Sequence, residues 1–364
     1  MTGMSTTRAP SACTRLAVAA LTLAFAAACA RRGPRDLSQG SAAELNRAAI
    51  DAGRLDDRGR PHVVAAPIAM GTTPRVLVRA EARALATDAE RLYFGDAAGD
   101  ALSALEKRPA GGAAREPTRI ARRAPTPGGL SFDADDGALA WIASPGDVVL
   151  RAPAGGGAPT TIRDRAIFTD VVASAGDVFV TEARGTGGVL TRITGTTAAE
   201  LASFEGTPRG LAVDGDAIYV ATSSGLLATT RARGGVASLA SGAAFASPLV
   251  DGPWVYATRA EPSGRSRALV RVKRTGGALE TVARGVRDAP IAVHRGVVYW
   301  FDAERPALLA SPAGDARQGA RRAPRLVSAD PSLEHPNAIT VDDDGAFVAT
   351  GHGDDARIAV IALR

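Results

Sequence analysis

Leu211-Ala212-Val213-Asp214-Gly215-Asp216-Ala217-Ile218-Tyr219-Val220 is the stretch on which the reading of this chain turns. Leu211 and Val213 alternate with smaller residues, Asp214-Gly215-Asp216 interrupts, and a second apolar run follows. Two short strands joined by a turn that contains Gly form a β-hairpin. The string aligns without gaps to Leu85–Phe94, Val171–Val180, Ile291–Trp300 and Ile339–Val348. It also aligns to Pro248–Ala257, which places Trp254-Val255-Tyr256 in the second strand. A looser copy begins at Leu130, with extra turn residues from Asp133 to Gly137. The starts fall at 85, 130, 171, 211, 248, 291 and 339, so the spacings are 45, 41, 40, 37, 43 and 48.

Most copies continue alike. A third apolar stretch follows, such as Leu226-Leu227 or Ala268-Leu269-Val270. Glycine-rich turns come next at Gly111-Gly112, Gly155-Gly156-Gly157, Gly234-Gly235 and Gly276-Gly277. Thr161-Ile162 and Glu280-Thr281-Val282 are then fourth strands. Four strands every roughly 40–45 residues is the period of a β-propeller blade. The fold expected is therefore all-β, a seven-bladed propeller of four-stranded blades. The seventh copy has a third strand, Arg357 to Leu363, and then the sequence stops. Its missing fourth strand has a counterpart before the first copy. Pro74-Arg75-Val76-Leu77-Val78 resembles Pro324-Arg325-Leu326-Val327-Ser328, the fourth strand of the sixth unit. A ring closed by this N-terminal strand leaves no open end. Trp141, Trp254 and Trp300 all fall in second strands, where packing between blades is expected of them.

Val213–Val220, Val297-Val298-Tyr299-Trp300-Phe301-Asp302 and Ile339-Thr340-Val341-Asp342-Asp343-Asp344-Gly345 resemble the repeats of NHL-, YWTD- and TolB-like propellers. The resemblance spans about 290 residues and implies fold rather than activity, because function on a propeller lives in sites grafted onto it. Typical YWTD domains have six blades, and only Tyr299-Trp300 approaches that signature.

The N-terminus carries an address. Arg8 and Arg15 form a basic region, and Leu16 to Phe25 is apolar but shorter than the roughly 20 residues a membrane span needs. Leu21 to Cys29 resembles a bacterial lipoprotein signal, in which cleavage before the cysteine leaves Cys29 as the acylated first residue. Cleavage at Ala-x-Ala is the alternative. Cys13 lies in the segment removed, so Cys29 is the one cysteine of the mature chain. Acylation would remove a thiol that is a liability in an oxidising envelope, and two or more acyl chains anchor stably. The organisation expected is a signal at 1–28, a lipidated N-terminus and tether at 29–62, and the propeller at 63–364. Within the tether, Ser41-Ala42-Ala43-Glu44 fits a capping box. The residue after Cys29 is Ala30, not the Asp that implies inner-membrane retention. By resemblance this favours the outer membrane.

Charge excludes one class of partner. The chain has 43 basic and 38 acidic residues, a net +5. Loss of Arg8 and Arg15 with the signal leaves 41 basic against 38 acidic, or +3. The clusters Arg119/Arg122/Arg123 and Arg317/Arg321/Arg322/Arg325 lack interleaved aromatics, so no base-stacking platform is expected, and no nucleic-acid partner.

Catalytic motifs are sparse. The sequence has no Gly-x-Ser-x-Gly elbow and no His-Glu-x-x-His helix. With no cysteine in the propeller, thiolate catalysis and Cys-based metal sites are excluded there. The histidines are His62, His294, His335 and His352. Glu334-His335-Pro336-Asn337-Ala338-Ile339 resembles the Pro-His-Gly-Ile segment of virginiamycin B lyase-type propellers, with Pro and His in reversed order. In those lyases a histidine near the central face acts on a cyclic peptide; here a solvent-exposed loop histidine is expected. Asp342-Asp343-Asp344 sits in a hairpin turn, where Asp suits turn chemistry; no metal or cofactor is expected. The function expected is non-enzymatic binding or scaffolding of a protein or small molecule, with a propeller hydrolase or lyase as the alternative. The ligand face would be the rim of loops leading into the first strands, with Arg209, Arg287, Asp288, Glu334, His335 and Asn337 as candidate contacts.

Overall fold

The computed structural model describes residues 72–108, 116–232, 234–264, 266–312 and 324–363. Cys29, the signal and tether segments, His62, Gly111-Gly112, Arg317, Arg321 and Arg322 lie outside the described residues. The described residues form 28 strands in seven antiparallel sheets of four. In blades 1 to 7 the first strands are Ala82–Thr87, Pro125–Asp133, Ile167–Ser174, Pro208–Asp214, Phe245–Asp251, Ala292–His294 and Pro336–Asp342. These seven strands touch one another in sequence round the ring, and the first meets the last. They are the inner wall, and the expected seven-bladed propeller is the fold observed.

The strand closing the ring comes from the N-terminal side, as the overhang implied. Blade 7 consists of Pro336–Asp342, Gly345–Thr350, Arg357–Ile361 and, as its fourth strand, Arg75–Val78. Arg75 pairs with Val360 and Val76 with Ala359. The third strand ends at Ile361 rather than running to Leu363. The Thr72 amide also donates to the Val327 carbonyl of blade 6, at 3.0 Å.

Seven apolar clusters hold the ring, and each straddles one seam between neighbouring blades. Trp141 belongs to the seam between blades 1 and 2, and Trp254 and Trp300 to that between 5 and 6. All three are buried. Trp141 Nε1 donates to the Arg123 carbonyl at 3.0 Å, which satisfies its one polar atom. The closing seam, between blades 7 and 1, packs Phe347 and Ile358 against Leu92 and Phe94. That seam is as apolar as the others, although its two sides lie at opposite ends of the propeller sequence.

Turn chemistry follows the Asp residues. The Asp88, Asp133 and Asp342 carboxylates accept from the amides of Glu90, Asp135 and Asp344, respectively. Asp342-Asp343-Asp344 is thus a turn, as read from the sequence. Backbones approach closely at one seam: a Cβ on Gly210 would lie 2.4 Å from Pro248 Cδ and 2.9 Å from the Ser247 nitrogen. Only glycine fits between the first strands of blades 4 and 5 there.

Candidate functional site

Antiparallel strands fix which loops share a face. Crossings from a fourth strand to the next first strand open on the same face as the turns between second and third strands. The hairpins between first and second strands open on the other. All six candidates in the propeller lie on or beside the crossing face.

Six of the seven first strands break register at about the same level. A β-bulge re-aims a side chain. Arg83, Thr169, Arg209 and Asn337 fall in these breaks, each two residues before its repeat start at 85, 171, 211 or 339. Arg209 and Asn337 were expected at the ligand face from their loops; their counterparts Arg83 and Thr169 were not, although the repeat alignment points to the same positions.

The candidates divide into two groups. Four gather where blades 6 and 7 meet. Arg287 Nη1 donates to the Glu334 carbonyl, and its Nε donates to the Asp302 carbonyl at 3.1 Å. Asn337 Nδ2 donates to the Gly351 carbonyl at 2.8 Å, and the Gly351 amide donates to the His335 carbonyl at 2.9 Å. The side chains of Arg287 and Asn337 and the carbonyls of Glu334 and His335 therefore tie loop to loop. His335 is exposed, and its ring centroid lies 6.2 Å from that of His352. His352 Nδ1 is 3.8 Å from Glu81 Oε1 on blade 1. Arg83, at 2.7 Å, and the Gly353 amide hold the Glu81 carboxyl below its ordinary range.

Asp288 and Arg209 stand apart from that group. Asp288 accepts from Nε of Arg267, at the start of the third strand of blade 5. Its carboxylate pairs with that buried guanidinium while the side chain itself stays exposed. Arg209 is across the ring on blade 4, exposed, with no hydrogen bond or ion pair among the described residues. No group of three or more His, Cys, Asp or Glu side chains able to hold a metal ion occurs among the described residues.

With this geometry the chain resembles solved propellers in shape. It superposes on the β-propeller domain of Cps50 (Swd1) from Myceliophteria thermophila with a TM-score of 0.56 at 13% identity, covering 80% of this chain and 100% of that one. An oligogalacturonate lyase from Vibrio parahaemolyticus gives 0.56 at 10% identity, covering 80% and 90%. YCF48 bound to D1 peptide gives 0.53 at 14% identity, covering 80% and 96%. Identities this low show the fold alone. No protein-family model matches the sequence, and no curated protein matches it.

Proposed function

We propose that this protein is a lipid-anchored envelope propeller that binds a protein or small-molecule partner on its crossing face. The observation that carries the reading is Arg209, an exposed guanidinium with no partner among the described residues, set in a bulge of the inner wall. The polar atoms of Arg287, Asn337 and Asp288 hold loops and neighbouring side chains in place. A rim fixed in this way is preorganised, which lowers the ordering cost of binding. What it offers to solvent includes Arg209, Arg83 and the two histidines, beside the exposed carboxylates of Asp288 and Glu334. Among the structural neighbours, YCF48 is bound to a peptide.

The closing strand Arg75–Val78 runs toward the crossing at 79–81, so the chain enters it from the opposite face.

A hydrolase or lyase is the second reading. The observation in its favour is the juxtaposition of His335, His352 and Glu81. The test is recovery of partners from detergent-solubilised envelope with C-terminally tagged protein, wild type against Arg209→Glu. A partner lost with Arg209→Glu supports binding at this rim. Equal recovery by both proteins overturns it.

A further inference from the structure

We propose that Asp170 is a proton-sensing link between the inner strands of blades 3 and 4. Asp170 follows the bulge of Ile167–Ser174. Its Oδ1 accepts from the Val171 amide at 2.8 Å. Its Oδ2 accepts from the Leu211 amide at 2.7 Å, across the seam on Pro208–Asp214. A single carboxyl thus joins two blades through backbone amides. The positions aligned with it in other blades are Ala84, Gly129, Gly210, Ser247, Pro290 and Ala338, none of which titrates.

No cation among the described residues serves this carboxyl. The first strand of blade 3 is packed by the first and second strands of blade 2, its own second strand and the first strand of blade 4. Their charged groups are Asp133, Asp177, Glu182, Arg184, Arg209 and Asp214. Asp133 accepts from the Asp135 and Gly176 amides. Asp177 faces Thr194 and Arg231. Glu182 is held by Arg163, Arg184 and Thr191. Asp214 pairs with Arg274, and Arg209 is exposed. The second strand of blade 2, Ala138–Ala143, carries no charge.

Two amide donors favour the ionised form, but desolvation opposes it and prevails. Although the residue is only partly buried by surface area, its carboxyl is enclosed, and burial pushes it up from 3.8 to about 7. The direction of the linkage follows. A carboxyl whose folded value is raised favours the fold most below its unfolded value. That contribution declines as pH rises toward the folded value and is gone above it. The seam therefore holds better when Asp170 is protonated and loosens as pH rises from about 4 to about 7. Arg209 lies two residues before Leu211 on the strand that Asp170 grips, so the link meets the proposed rim directly.

The test needs no ligand. Thermal unfolding of full-length wild type and Asp170→Asn is followed from about pH 4 to pH 7, the interval over which this linkage acts. Wild-type Tm should fall further across that interval than the Tm of Asp170→Asn. Because asparagine sets an NH2 against one of the two amides, a second measurement uses the wild type itself. Its Asp170 carboxyl 13C shift should titrate with a midpoint near neutrality. Parallel Tm profiles, or a midpoint below about 5, close to the ordinary carboxylate range, overturn the proposal. Either result stands whatever the envelope recovery with Arg209→Glu shows.

Discussion

Lys107 Nζ lies 2.7 Å from Asp342 Oδ2, joining blade 1 to blade 7 across the closing seam. The lysine side chain is 3% exposed, and its ammonium also meets Asp344 at 3.3 Å and the Asp88 carbonyl. Lys107 comes directly after the third strand of its blade. Arg231 and Arg274 occupy the same place in blades 4 and 5, and each reaches back to the preceding blade. Arg231 bonds Ser174, and Arg274 pairs with Asp214. A cation after the third strand thus clamps the hairpin turn of the blade before it.

Lys107→Met should destabilise the ring by about 3 kcal/mol, because it strips Asp342 of its buried ammonium partner and leaves Asp344 with Arg108 alone. Chemical denaturation reads the loss. The acid limb should change as well. Burial works to raise the Asp344 carboxyl, but Arg108 and Lys107 outweigh it and hold it below 3.8. A depressed carboxyl contributes stability above its unfolded value and loses it as pH falls through the folded value. In wild type this loss falls below about pH 4, where Asp344 protonates. In Lys107→Met it should shrink and be complete at a higher pH. Unchanged stability and an unchanged acid limb would show that the clamp is incidental.

The closing strand gives a second expectation. Deletion of 30–62 should leave melting nearly unchanged. Deletion through Arg79 removes Arg75–Val78 and exposes the edge of Arg357–Ile361. An unpaired edge strand templates association with other chains. Lower Tm and concentration-dependent aggregation should therefore appear only in the longer deletion. Equal melting of the two truncations would contradict closure by this strand.

Gly210→Ala tests the close approach between blades 4 and 5. The added Cβ would meet Pro248 Cδ at 2.4 Å and the Ser247 nitrogen at 2.9 Å. Neither a proline ring nor backbone yields as a flexible side chain would. Overpacking of this kind costs about 1–3 kcal/mol. Gly215→Ala is a poor control, because Gly215 has φ +56 and would be strained even in open space. Gly155→Ala meets nothing within 4 Å and should be close to neutral. Similar urea midpoints for Gly210→Ala and Gly155→Ala would refute the packing argument.

Repeat spacing made the blades legible because each hairpin is local, and Leu211–Val220 carries its own alternation and turn. The overhang was legible because Pro74–Val78 repeats Pro324–Ser328. The placement of Trp141, Trp254 and Trp300 followed from their strand alone. What stayed hidden depends on partners distant in sequence. Lys107 meets Asp342 across 235 positions, and Asp170 meets Leu211 across 41. Nothing near Asp170 in the chain announces that its carboxyl is enclosed. Asp288 looked like a rim contact because its loop leads into a first strand. Its real neighbour, Arg267, is set by the register of blade 5 with its own fourth strand. The bulges lay between these extremes: the −2 positions align, but sequence gives no sign that the strands break there.

His335 separates binding from chemistry. Its carbonyl already accepts from Gly351, and its ring is exposed beside His352. A substitution that spares the backbone keeps that bond. His335→Ala should therefore shift stability by no more than about 0.5 kcal/mol, as is usual for an exposed position. If the residue only borders a binding rim, partners lost with Arg209→Glu should still be recovered by His335→Ala, since the two residues lie on opposite sides of the ring. A general acid or base in the same place would behave differently, with turnover falling by roughly 10²–10⁴-fold on removal of the imidazole. Assay of wild type and His335→Ala on lactone and cyclic-peptide panels decides between them. Turnover present in wild type and abolished by the substitution would replace the binding reading with the lyase or hydrolase one.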